Sequence, residues 1–216
     1  LGADIGTTLT VQFVIWRFTE FSPLIISAGG LLWITCRGIW KTAGEMIFYF
    51  GLIFLGLDIV GQAAAPLKQS PVFMHYFTQT TNPLYGVGVG VVATAIVQAS
   101  AIPITILAVL AQQDLVSLEN AVPIVLGANI GTTVTALLAG TVANVSGKRT
   151  AISHLIFKCL GVLICLAFLP FFFDGLKELS TSVAQQIAWS HFMLNLVIVV
   201  LFIFFLKPFA AIMKKI

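Results

Sequence analysis

Charge is what this sequence has least of. Only 9% of its 216 residues are Asp, Glu, Lys or Arg, 59% are hydrophobic, and the mean hydropathy is +1.05. Soluble domains carry roughly 25% charged residues. A deficit this large, spread over several long apolar runs, excludes a water-solvated fold and points to a chain solvated by lipid. Cysteine is scarce too. Cys36, Cys159 and Cys165 lie in or at the edge of apolar segments, and an odd number of embedded thiols excludes a disulfide framework. The net charge of +3 is small, and the basic residues sit between the apolar runs. That pattern suits positive-inside anchoring and excludes nucleic acid as a partner. No nucleophile–base arrangement, phosphate loop or metal-binding cluster is present, which argues against an enzyme. There is also no initiator Met and no signal-peptide pattern. The chain starts inside a motif, so an N-terminal portion is expected to precede Leu1.

What is present begins with that motif. Leu1-Gly-Ala-Asp-Ile-Gly-Thr-Thr-Leu-Thr10 returns as Leu126-Gly-Ala-Asn-Ile-Gly-Thr-Thr-Val-Thr135, with eight of ten residues shared at an offset of 125 positions. Each copy is polar, glycine-spaced and set in an apolar run. The pair divides the chain into two structural repeats: 1–81, the C-terminal part of a first repeat plus an interfacial segment, and 82–216, a second repeat.

The apolar runs set an all-α membrane architecture. Phe21–Cys36 is short for a span, since ~20 residues are needed to cross ~30 Å. Met46–Ala65 is long enough, with Asp58 placed near an outer boundary. Pro66–Thr81 mixes Lys68, Gln69, His75 and Gln79 with apolar and aromatic residues and reads as an interfacial amphipathic segment. Leu84–Ala111 has no charge, and as one straight helix would be ~42 Å long. Gln98, Ser100 and Pro103 interrupt it, and proline disfavours helix at Ile102, so a re-entrant hairpin of two half-length pieces is expected. Ala121–Ala143 carries the second motif; Ala151–Phe173 and Ile187–Leu206 are two further spans.

Charge counting orients these spans. If Leu84–Ala111 is re-entrant, Arg37, Lys41, Lys148, Arg149, Lys207, Lys214 and Lys215 all fall on one side, seven of the eleven basic residues. The positive-inside rule makes that side, and the C-terminus, cytoplasmic. The two motif copies then run in opposite directions through the membrane, giving the inverted-topology repeats and broken helices seen in secondary transporters.

Irregular backbone at membrane depth is tolerated only where it is buried in protein or lines a watery cavity. Asn129, Thr132, Thr133 and Thr135 offer amide and hydroxyl oxygens there, and Gln98 and Ser100 offer more. Neutral oxygens suit a hard cation such as sodium, and helix N-termini exposed at a break suit an anion. No Lys or Arg lies between Lys68 and Lys148. A multivalent anion held in this region is therefore expected to depend on backbone donors, hydroxyls and co-bound cations. A simpler reading exists for the glycines: Gly127 and Gly131 have the GxxxG spacing of tight helix contacts. Two near-identical copies plus the Gln-x-Ser break upstream favour a transport site over packing alone. His154 and His191 read as helix-interface residues. Lys158, inside an apolar run, reads as snorkelling toward the Lys148–Arg149 interface. Phe168–Phe173 reads as lipid-facing or packing surface.

At these residues the chain resembles the sodium-dependent phosphate cotransporter (Na/Pi cotransporter) family. The similarity rests on the paired motif, on Ala95-Ile-Val-Gln-Ala-Ser100, and on Gly51–Leu57, Ala65–Pro71 and His191-Phe-Met-Leu-Asn195. It implies inverted repeats, each with a Gln-Ser-Ser hairpin, holding sodium and inorganic phosphate between them. By matching position, Gln98, Ser100, Thr132 and Thr133 in the second repeat and Thr7 and Thr8 in the first are the implied phosphate ligands. Gln98, Ser100, Asn129 and Thr132 are the implied sodium ligands. Sodium is the coupling ion and no other cofactor is implied. Three residues depart from the family pattern: Ala99 replaces a serine, Asp4 an asparagine and Lys158 a small polar residue. The first repeat's hairpin is absent, so at least about forty residues are expected before Leu1. The resemblance implies sodium-coupled phosphate symport in the plasma (inner) membrane, with phosphate, sodium and the lipid bilayer as partners and a homo-oligomer as one way to complete the missing surfaces. Two other readings use the same fold: an anion exporter or channel, and a transport-inactive membrane assembly or signalling subunit.

Overall fold

A computed structural model describes residues 2–16, 18–64, 66, 69–72, 82–112 and 114–213. Most of the Pro66–Thr81 segment, and Lys214 and Lys215, lie outside the described residues. Within them the fold is all helical. The first motif forms α1 (Gly2–Gly6) and α2 (Leu9–Ile15), parted by a turn at Thr7 and Thr8. A 3₁₀ turn (Phe18–Phe21) leads to α3 (Ser22–Thr35) and α4 (Ile39–Ala64), joined through Gly38 at φ 61°. Then come α5 (Pro83–Val97), α6 (Ala101–Ala111), α7 (Leu118–Gly131), α8 (Thr133–Val142), α9 (Val145–Ala167), α10 (Leu169–Leu179) and α11 (Val183–Met213). Among the described residues, four stretches are long and apolar enough to cross a membrane: Ile39–Gly56, Leu118–Val142, Val145–Ala167 and Val183–Met213.

Local chemistry sets the helix ends. Asn82, Ser117 and Asn144 each accept a backbone N–H of the first turn, from Leu84, Asn120 and Gly147 at 2.9, 3.3 and 3.0 Å, which satisfies donors the helix itself leaves open. The Asn144 cap starts α9 six residues before the expected Ala151, so Lys148 and Arg149 lie within the helix. The expected Ala151–Phe173 span ends early, at Ala167. Pro170 lies in the first turn of α10, where its missing N–H is harmless, and it cannot extend the preceding ladder. Phe168 and Phe171 are exposed, while Phe172 and Phe173 pack against the core.

The interruption of 84–111 is present but differs in its cause. It falls at Gln98–Ser100, with Gln98 at φ 60°. Ile102 and Pro103 are both helical, and Pro103 sits in the first turn of α6. At 15 and 11 residues, α5 and α6 are about 22 and 16 Å long, each shorter than a ~30 Å hydrocarbon core.

α7 is buried almost all round, as a helix at the centre of a bundle should be. Val122, Val125 and Leu126 meet Ile104, Leu107 and Leu110 of α6 and Ile187, Leu194 and Ile198 of α11 in one core. Glycine determines how closely the helices approach. A Cβ on Gly90 would overlap the backbone of Ile124 and Ala128, and one on Gly127 the backbone of Val87. Gly29, Gly44 and Gly51 likewise press α3 against α4. The outer faces of that pair expose Leu24, Leu31, Ile34 and Trp40, an apolar surface suited to lipid.

Candidate functional site

The two motif copies meet at one cavity of about 370 Å³. The first copy contributes Ala3, Asp4, Thr7 and Thr10, and the second Asn129, Thr132 and Thr135. These are equivalent positions at the same offset of 125: Asp4 with Asn129, Thr7 with Thr132, and Thr10 with Thr135. The break between α5 and α6 adds Gln98, Ala99, Ser100 and Ala101, and α9 and α11 add His154, Lys158 and His191.

The hydroxyls are polarised by their own backbone. Thr132 donates to the Asn129 carbonyl at 2.7 Å, Thr135 to that of Thr132 at 3.0 Å, and Thr7 to that of Asp4 at 3.2 Å. With its proton committed to a carbonyl, each hydroxyl oxygen is left with lone pairs that can only accept. The other two threonines are placed differently. Thr8 and Thr133 make the same bond, to Ile5 and Ile130 at 2.6 and 2.8 Å, but both are buried and neither lines the cavity. Of the sequence-predicted residues, the fold thus brings together Thr7, Gln98, Ser100, Asn129 and Thr132, and leaves Thr8 and Thr133 behind them.

Lys158 overturns its sequence reading. Its side chain is buried at 2% exposure, not snorkelling. The ammonium lies 2.6 Å from Asp4 Oδ1 and donates to Asn129 Oδ1 at 2.8 Å and Asn195 Oδ1 at 2.7 Å. Lys158 is the fourteenth residue of α9, nine residues or about 14 Å along the helix from Arg149, further than its side chain reaches. Three oxygens supply instead what water cannot. The expectation that no basic side chain serves this region is corrected with it, since the cation comes from α9, outside the Lys68–Lys148 interval. Asp4 offsets its charge, however, so the pair adds no net charge to the wall.

Other groups complete the surroundings. His154 Nε2 lies 3.7 Å from Asp4 Oδ1, so this histidine faces the cavity as well as a helix contact. His191 is buried at 1% exposure, and its Nδ1 has no hydrogen-bond partner among the described residues. The Asn129 amide is oriented by Lys158, which must meet its oxygen. Its Nδ2 is buried and has no partner among the described residues, a donor suited to an anionic oxygen. The side chains of Gln98 and Ser100 have no hydrogen bonds with the described residues and add an amide and a hydroxyl. Sequence reasoning placed none of Lys158, Asn195, Thr10, His154 or His191 at the site. For Thr10 the repeat was the available signal. For Asn195 it was an amide one turn after His191, whose carbonyl it bonds at 3.0 Å.

The model of the family described as "Na+/Pi-cotransporter" matches residues 1–62 and 73–201. The chain belongs to the Na+/Pi-cotransporter family. That family is one of transporters, not enzymes. Among relatives, YqeW, an uncharacterized protein of Bacillus subtilis (strain 168), is 30% identical over 207 residues, covering 94% of this chain and 66% of that protein. The putative inorganic phosphate export protein YjbB of Escherichia coli (strain K12) is 29% identical over 218 residues, 100% of this chain and 40% of that protein. Human sodium-dependent phosphate transport protein 2B is 31% identical over 134 residues, 57% of this chain and 19% of that protein. This Na+/Pi-cotransporter chain thus spans 66% and 40% of the two bacterial relatives. No solved structure matches it.

Proposed function

We propose that this chain forms the ion-binding part of a sodium-coupled symporter for inorganic phosphate, with substrate held between inverted repeats and no chemistry performed on it. The observation that carries the reading is the single cavity lined by equivalent residues of both motif copies and by the Gln98–Ser100 break. Threonine oxygens with committed protons suit sodium, while the Asn129 amide N–H, the Ser100 hydroxyl and the Gln98 amide suit phosphate oxygens.

Helix directions support the inversion. Asn129 meets Lys158 and Gly140 faces Ala151, so α7–α8 and α9 run antiparallel. Phe157 meets Phe202 and Gly161 meets Ile198, which supports α11 running antiparallel to α9. Gln185 bonds Gln12, while Asp4 shares the ammonium with Asn195, so α1–α2 opposes α11. These directions support a first motif copy that opposes the second. The re-entrant reading of α5–α6 has its own support. Gly127 packs at Val87 and Gly131 at Val91 and Thr94, so α5 and α7 run parallel. A chain that crossed once through α5 and α6 would bring α7 back antiparallel.

The test uses the full-length protein in proteoliposomes. An inward sodium gradient is expected to drive accumulation of labelled phosphate, and choline in place of sodium to abolish it. Folded protein without sodium dependence would rule out symport. A second reading keeps the cavity and reverses the flux, favoured by the match of this chain to 40% of a protein named as a putative inorganic phosphate export protein. Phosphate efflux from loaded vesicles, with no sodium-driven accumulation, is its signature.

A further inference from the structure

We propose that the Lys158 ammonium is a resident cation, occupying a monovalent-cation site formed by Asp4, Asn129 and Asn195. The proposal rests on reading the adjacent cavity as an ion-binding site. An ammonium has three N–H donors. Here three oxygens from three separate helices take them at 2.6, 2.8 and 2.7 Å. No donor remains for a ligand, so Lys158 acts on a bound anion through its field and not as a contact. The cage is one carboxylate and two amide oxygens, a donor set of single negative charge that any small monovalent cation would balance. Two of the three oxygens come from equivalent positions of the motif copies, and the one charge that distinguishes those copies, Asp4 against Asn129, faces the lysine. The cage also has an entrance, since Asp4, Asn129 and Lys158 all line the 370 Å³ cavity.

Removing the lysine head while keeping its cage should therefore create a sodium site. In the purified full-length protein, Lys158→Ala is expected to bind one more sodium ion per chain than the wild type in equilibrium binding of labelled sodium. Methylammonium, which carries the deleted head group, should compete for that extra ion alone. Asp4→Asn combined with Lys158→Ala removes both charges and should return the count to the wild-type value. If Lys158→Ala does not survive purification, Lys158→Met, which keeps most of the aliphatic stem but vacates the ammonium position and leaves Asp4 charged, is measured for thermal stabilisation by sodium over choline, expected to exceed that of the wild type. A variant that gains neither sodium nor sodium-specific stabilisation overturns the assignment, as does weakened phosphate binding at an unchanged sodium count. These comparisons are between variant and wild type. Failure of the symport reading shows separately, as absent sodium dependence of wild-type uptake.

Discussion

A hydroxyl at membrane depth is worth to a transporter what its proton leaves free. Thr132 and Thr133 are neighbours and make the same backbone bond, yet only Thr132 lines the cavity. The same holds for Thr7 and Thr8. Side-chain substitution should separate them. Ser100→Ala and Asn129→Ala each remove a group at the cavity wall. A hydrogen bond to a charged group contributes about 1.5–3 kcal/mol, so each variant is expected to lower phosphate uptake at limiting substrate by about ten- to a hundredfold. Thr8→Val and Thr133→Val keep shape and burial while deleting a bond made only to a carbonyl one turn back, and should stay within about threefold of wild type. Initial rates in proteoliposomes, normalised to protein recovered folded, make the comparison. Equal losses at Thr132→Val and Thr133→Val would remove the basis for the division.

Among the elements, α7 carries both meanings that its sequence allowed. Gly127 and Gly131 face α5 and permit contact between backbones, the packing reading of their spacing. Asn129 and Thr132 project into the cavity. Residues two apart on a helix do not face the same way, so one ten-residue motif serves a helix contact and a site without conflict. α5 in turn ends with Gln98 in the left-handed region, a conformation that costs a non-glycine residue about 1–2 kcal/mol; retaining glutamine there is consistent with a side chain used for more than backbone shape. The packing face can be tested alone. Gly90→Ala and Gly127→Ala place a methyl group against backbone atoms of the opposing helix, which cannot rotate away. Overpacking of this kind costs about 1–3 kcal/mol. Both variants are expected to lower the thermal unfolding midpoint in detergent, while the fraction that remains folded keeps its phosphate affinity. An unchanged midpoint would mean that α5 and α7 are further apart than described.

For the molecule as a whole, what was legible in the sequence was what repeats or what is local. The duplicated motif makes Asp4 and Asn129 equivalent in the sequence itself, and Gln98 and Ser100 mark the interruption of an uncharged run. The identity of the interrupting residue was not legible: Pro103 looks like the breaker, but a proline in the first turn of a helix loses nothing. Lys158 was misread for a different reason. Its partners lie 29, 37 and 154 residues away in sequence, so nothing near it distinguishes an ammonium caged by oxygens from one reaching for headgroups. Basic residues elsewhere follow the anchoring logic, and they carry the last expectation. In a background lacking Cys36, Cys159 and Cys165, a cysteine at exposed Glu20, after the first motif, is expected to react with a membrane-impermeant maleimide added to intact cells. One at exposed Lys148, after the second motif, should react only once the membrane is opened. The two positions follow equivalent helices, α2 and α8, and differ in side only if those helices cross in opposite senses. Labelling of both from outside, or of neither, would contradict the proposed inverted arrangement.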